Sequence, residues 1–188
     1  MTGVQTCALP ICFDLKKKLN EIYKMMNLKA KEKNLQFSVN PAKDVPVYLK
    51  GDPLRLKQII INLVGNAIKF TEDGSVRVDV SRVESPKNKV KLKFVVKDTG
   101  IGISEKSRRK LFREFSQADA SISRKHGGSG LGLAISKNLS HMMKGDIGVE
   151  SELGKGSVFW FTAVFDTGVK TDEETVKLSK KEKEIMKR

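Results

Sequence analysis

Hydrophobic residues recur along this chain at two spacings, one helical and one alternating, and the two interleave from Phe13 onward. Asp14 stands where a helix N-cap is wanted. Leu15, Leu19, Ile22 and Met26 follow at steps of three and four, which predicts an amphipathic helix ending near Asn34. Leu35 to Val39 alternates apolar with polar and predicts a strand closed by Asn40-Pro41. Val45 to Leu49 predicts a second short extended piece, which Pro46 would confine to a sheet edge. Gly51-Asp52-Pro53 then opens a second helix, with Asp52 as N-cap and Pro53 at the first helical position, where its missing N–H costs nothing. From Leu54 to Phe70 that helix is heavily apolar.

Beyond the turn Thr71-Glu-Asp-Gly74 the period changes to two. Val76, Val78 and Val80 alternate with Arg77 and Asp79, and Val90, Leu92, Phe94 and Val96 with Lys91, Lys93 and Lys97. These predict two strands joined by a loop around Pro86-Lys-Asn88. Leu111-Phe-Arg-Glu-Phe115 is short and aromatic, and Gln117 to Gly130 is polar and glycine-rich. A helix is predicted from Leu131 to about Met143, then strands over Gly145 to Glu150 and Ser157 to Phe165, separated by the turn Gly154-Lys-Gly156.

Composition narrows the class without naming a function. A chain of 188 residues, 39% of them hydrophobic, can build one proper core. No apolar run approaches the roughly 20 residues that a membrane span needs. The net charge of +14 fits a nucleic-acid or membrane surface, an anionic substrate or solvated basic faces. Few aromatics are interleaved with the lysines, and no groove-reading motif is present, so nucleic acid is not an expected partner. Both cysteines, Cys7 and Cys12, lie in the first dozen residues, so the body carries no disulfide framework. The opening Met1 to Ile11 lacks the basic start and apolar centre of a signal peptide and looks like translated sequencing-adapter read-through. The expected organisation is a non-native leader over 1–12, one domain over 13–166 and a charged linker over 167–188.

Three stretches carry candidate chemistry. On the second helix Asn62, Asn66 and Lys69 share one stripe, since residues three and four apart are helix-surface neighbours. Asparagine is a poor interior helix residue, so this stripe is either a solvated face or a polar site looking into a cavity. At a strand end stands Asp98-Thr-Gly100-Ile-Gly102-Ile103, where glycines permit close approach to a flat ligand and the carboxylate can accept from an amino group. Finally, Gly127-Gly128-Ser129-Gly130-Leu131-Gly132-Leu133 runs straight into a helix, and that is either a turn or an anion-binding helix N-terminus.

In their order, Asn62 to Thr71, Asp98 to Gly102, Leu111 to Phe115 and Gly127 to Gly132 closely resemble the N, G1, F and G2 boxes of the ATP-binding catalytic domain of sensor histidine kinases. Gly154 to Phe159 resembles that domain's last glycine turn, and the likeness covers Phe13 to Phe165. It implies the Bergerat ATP-binding fold: a two-layer α/β sandwich whose mixed, mostly antiparallel sheet is covered on one face by helices. Asn66 would be the Mg²⁺ ligand, assisted by Asn62, and Lys69 would neutralise phosphate; these three are the catalytic candidates. Asp98 would accept from the adenine amine, with Gly100 and Gly102 giving the base room. Phe112 and Phe115 would anchor a lid that Gly128, Gly130 and Gly132 let close, and Phe70, Ile103, Gly127, Ser129, Leu131 and Leu133 would complete the ATP site.

The implied reaction passes the γ-phosphoryl group of ATP to a histidine on a dimerisation hairpin that is not in this sequence. The implied partners are that hairpin, a response regulator receiver domain and a second copy of the parent protein, with the catalytic domain in the cytoplasm. His126 and His141 lack the acceptor context and are expected to be ordinary surface or partly buried histidines. Hydrolases of the same superfold use a glutamate base where this chain has Asn62, which cannot accept a proton at neutral pH. A serine-directed kinase or a non-catalytic nucleotide-sensing module are the other readings of these boxes.

Overall fold

The computed structural model describes residues 10–85, 88–112 and 131–169. In chain order the elements are β1 (Ile11–Asp14), α1 (Leu15–Glu32), β2 (Gln36–Pro41), β3 (Tyr48–Gly51), α2 (Pro53–Phe70), β4 (Ser75–Val83), β5 (Lys89–Asp98), the single turn α3 (Glu105–Arg108), α4 (Gly132–Met142), β6 (Ile147–Glu152) and β7 (Gly156–Thr167). No helix among the described residues is long and apolar enough to cross a membrane.

Local signals set the helix starts. Asp14 accepts from Lys17 N at 2.8 Å, and Asp52 accepts from Leu54 N at 3.1 Å and Arg55 N at 3.0 Å, each satisfying amides that a helix start leaves open. Ser104 caps α3 in the same way through Ser107 N. Helix α1 ends on Asn34 at φ 58°, with Leu35 N returning to Ala30 O and Asn34 N to Lys31 O, the paired bonds of a Schellman cap.

The seven strands form one sheet in the order β1-β3-β7-β5-β4-β2, with β6 beside β7. One edge of β7 is shared: β6 pairs with Gly156 to Phe161, and β3 with Asp166 and Thr167. Among the described residues only β2 and β4 pair in parallel, so the sheet is mixed and mostly antiparallel, as the resemblance implies. The inward parity of β5 and β7 buries Val90, Leu92, Phe94, Val96, Phe159, Phe161, Ala163 and Phe165, with the Phe94 and Phe161 rings stacked at 4.7 Å. Against this face α2 buries Leu56, Ile59, Ile60, Leu63, Val64, Ala67 and Ile68, and α1 buries Leu15, Leu19, Ile22, Met26 and Ala30. Each buried Val, Leu, Ile, Phe or Met among these contributes about 1.5–3 kcal/mol of burial free energy, enough to hold the helices to the sheet.

Several boundaries differ from the sequence expectation. Strand β2 runs through Pro41 rather than stopping before it, which is tolerated because β2 is an edge strand. The extended piece expected over 45–49 starts at Tyr48 instead; it excludes Pro46 and takes an internal place between β1 and β7. Ile11 and Cys12, set aside with the leader, pair with Gly51 and Lys50 in β1. Strands β6 and β7 each extend to Glu152 and Thr167, beyond their expected ends.

Candidate functional site

Two elements bring the candidate residues together: the second half of α2, and the loop that leaves β5 at Asp98. On α2, Leu63, Val64, Ala67 and Ile68 are buried in the core, while Asn62, Asn66, Lys69 and Phe70 are only partly buried on the adjoining stripe. The helix therefore presents a half-buried polar strip at the border of its apolar face. The Lys69 ammonium sits 5.0 Å from the Phe70 ring centroid.

Asn62 does more than line the strip. Its Nδ2 donates to Ser136 Oγ on α4 at 2.8 Å, and Ser136 is itself buried. Gly132 opens α4 directly against the same amide, since a Cβ there would lie 2.4 Å from Asn62 Oδ1. Leu131 stands at the N-cap of α4 without a side-chain cap bond. The helix that follows the glycine stretch is thus seated on α2 at the candidate metal ligand.

Asp98 is the last residue of β5, 5% exposed. Its Oδ1 accepts from Gly100 N at 2.9 Å and from Ser157 N at 3.1 Å, and among the described residues no donor is placed on Oδ2. Burial pushes the carboxyl pKa above the usual aspartate range, while the two backbone bonds pull it the other way. The surrounding loop is closed by backbone contacts. Ile101 N donates to Phe70 O at 3.3 Å, Gly154 N to Ile101 O at 2.7 Å, and Ile103 N to Ser151 Oγ at 2.9 Å.

The glycines of this loop answer first to the protein. A Cβ on Gly100 would lie 2.4 Å from Phe70 O, and one on Gly102, at φ 68°, would lie 2.0 Å from Glu152 O. These collisions require glycine at both positions independently of any ligand.

Leu111, Phe112, Ile103 and Leu133 are partly buried against the core. Phe115, Gly127, Gly128, Ser129 and Gly130, the remaining lid and phosphate candidates, lie outside the described residues, as does His126. His141 is exposed, its Nε2 3.4 Å from Asp146 Oδ1, as expected of a surface histidine.

Sequence reasoning missed Ser136 and Ser157. Ser157 carried a readable signal, because it occupies the inward parity otherwise held by Phe159, Phe161, Ala163 and Phe165. Ser136 carried none beyond being polar on an apolar helix face.

The donor set suits magnesium. Asn62 and Asn66 offer two neutral amide oxygens, and among the described residues no group of three or more His, Cys, Asp or Glu could hold an ion by itself. A cation that prefers oxygen, keeps several waters and arrives with a triphosphate fits such a partial protein shell.

Comparison with known proteins agrees with this geometry. A family model described as histidine kinase-, DNA gyrase B- and HSP90-like ATPase matches residues 51–167. The signal transduction histidine-protein kinase BarA of Escherichia coli K12 is 48% identical over 151 residues, covering 80% of this chain and 16% of BarA. The sensor histidine kinase GacS of Pseudomonas protegens is 46% identical over 152 residues, covering 81% of this chain and 17% of GacS. Among solved structures, full-length ShkA in complex with AMPPNP superposes with a TM-score of 0.74 at 35% identity, over 86% of this chain and 32% of that one. The nucleotide-free catalytic domain of histidine kinase ThkA gives 0.64 at 28% identity, over 82% and 94%.

The two-layer sandwich, with an amide strip on one helix and a buried carboxylate at a central strand end, is that of a nucleotide-binding domain. The chain belongs to the histidine kinase-, DNA gyrase B- and HSP90-like ATPase family, as an ATP-binding domain of the sensor histidine kinase type. It spans about a sixth of the length of the bacterial relatives named above.

Proposed function

We propose that this domain binds ATP with Mg²⁺ and, within its parent protein, passes the γ-phosphoryl group to a histidine on a dimerisation hairpin. The bond between the γ-phosphorus and the β–γ bridging oxygen breaks, a bond to an imidazole nitrogen forms, and ADP leaves. A response regulator receiver domain would then take the phosphoryl group, in the cytoplasm and from a homodimeric parent.

The observation that carries this reading is the state of Asp98: a buried carboxylate with Oδ1 committed to two backbone amides and Oδ2 available to an exocyclic amine. Adenine offers an amine at that place and guanine an oxygen, so the same geometry favours ATP over GTP. One helix turn apart on α2, Asn62 and Asn66 supply amide oxygens for the metal and Lys69 a charge for phosphate. Magnesium, when bound, neutralises charge on the triphosphate; the chain's own residues orient the nucleotide. Asn62 is no general base, which favours transfer over hydrolysis.

Titration calorimetry with a non-hydrolysable ATP analogue tests the reading. Micromolar-range binding that strengthens with Mg²⁺ and falls sharply on Asn66→Asp or Gly130→Ala is expected. No binding by the unaltered domain would overturn it.

A further inference from the structure

Lys33 belongs to α1 by sequence and to α2 by contact. It is the C-cap residue of α1, and its Nζ donates to three carbonyls at the far end of α2: Ile68 O at 2.8 Å, Lys69 O at 3.1 Å and Thr71 O at 2.8 Å. A helix leaves its last carbonyls without intrahelical partners, and its C-terminus carries partial negative charge. An ammonium bridging three of them answers both demands.

The neighbouring carbonyls complete the row. Ala67 O receives Thr71 N at 3.0 Å and Thr71 Oγ1 at 2.7 Å, while Phe70 O receives Ile101 N at 3.3 Å. Five successive carbonyls, 67 to 71, are therefore all satisfied, from three sources: Thr71 itself, α1 through Lys33, and the loop that follows Asp98. This is the seam where the helix bearing Asn66 and Lys69 meets the loop bearing Asp98.

We propose that Lys33 is a positioning residue for the nucleotide site, touching no ligand and setting the height of the last turn of α2 against the Asp98 loop. The inference rests on the ATP-binding reading above. A nucleotide bound there has its base at Asp98 and its phosphates at Asn66 and Lys69, so the spacing between these residues is what it must match. Displacement of a positioning element by as little as 1 Å is enough to cost binding geometry dearly.

Two features separate this role from plain stabilisation. Lys33 is an exposed residue, and the buried stripe of α2 is complete without it. The cap of α1 is made by backbone bonds of Asn34 and Leu35, which need no ammonium. Water can replace Nζ at the exposed Lys69 carbonyl, so the fold survives its loss while the seam loosens.

The test uses the whole chain with Lys33→Met, Lys33→Gln and Lys33→Arg, at a temperature where circular dichroism shows each variant folded. Lys33→Met should weaken binding of a non-hydrolysable ATP analogue by about five- to tenfold at full stoichiometry, Lys33→Gln should fall between, and Lys33→Arg should come within about twofold of the unaltered domain. Without nucleotide, the amides of Thr71 and Ile101 should exchange faster in Lys33→Met. A lower melting temperature with unchanged affinity and unchanged exchange at Ile101 would overturn the proposal in favour of a merely structural role. Absence of binding by the unaltered domain would instead remove the ATP-binding reading, and this inference with it.

Discussion

The side-chain amide of Asn62 donates to the hydroxyl of Ser136 at 2.8 Å, across the gap between α2 and α4. Because Ser136 is buried, the bond holds one end of the amide in place and leaves Oδ1 beside Gly132, where α4 begins. A candidate metal ligand and the helix that follows the glycine stretch are thus joined. An amide that must present its oxygen gains from having its nitrogen tied down.

Ser136→Ala is expected to release that end. The Mg²⁺-dependent part of ATP-analogue affinity should fall roughly three- to tenfold, the worth of one side-chain hydrogen bond, while affinity in the presence of a chelator stays the same. Paired calorimetric titrations with and without Mg²⁺ measure this. Equal losses under both conditions would mean that Ser136 supports α4 in general and not the Asn62 amide.

Asp98 makes a prediction about pH. Burial holds its carboxyl above the usual aspartate range, so the folded protein binds this proton more tightly than the unfolded chain does. The stabilising share is complete below the unfolded pKa and is lost as pH rises through the raised folded value, leaving the ionised group a burden at neutral pH. Asp98→Asn keeps an acceptor for Gly100 N and Ser157 N and removes the charge. In thermal melts without nucleotide, from about pH 4 to about pH 8, the variant should gain stability relative to the unaltered domain as pH rises. It should also lose adenine binding. A stability difference that does not change with pH would show that burial of this carboxylate is not what shifts it.

The parts of this molecule legible in the sequence are those set by neighbours in the chain. Asp14 and Asp52 cap the helices they precede because the capping bond reaches only two or three residues. The Asn62, Asn66 and Lys69 strip follows from helical spacing alone, and the inward faces of β4 and β5 from alternation. Contacts between remote segments were not legible. Ser157 reaches Asp98 across 59 residues, Ser136 reaches Asn62 across 74 and Lys33 reaches Ile68 across 35, and no periodicity encodes such pairings. The parallel pairing of β2 with β4 is of the same kind, and so is the edge position of β2 that lets Pro41 stay in a strand. The close approach at Gly102 was not legible for the same reason, since the atom that excludes a side chain there, Glu152 O, belongs to a strand far along the chain.

The backbone approach at Gly102 can be tested against a glycine of the adjoining turn. Gly102 and Gly154 both have positive φ, 68° and 81°, so alanine is strained at either. At Gly154 nothing lies within 4 Å of the added Cβ, and Gly154→Ala should cost only that strain, about 1–2 kcal/mol. At Gly102 the Cβ would fall 2.0 Å from Glu152 O and 2.8 Å from its carbonyl carbon, and no rotamer relieves a clash between Cβ and backbone. Gly102→Ala should therefore cost at least about twice as much in urea unfolding and push the loop off β6. Because the same loop leaves Asp98, analogue binding should fall in Gly102→Ala under conditions where it remains folded, and persist in Gly154→Ala. Equal unfolding free energies for the two variants would mean that backbone conformation alone, and not the approach of Glu152, demands glycine at position 102.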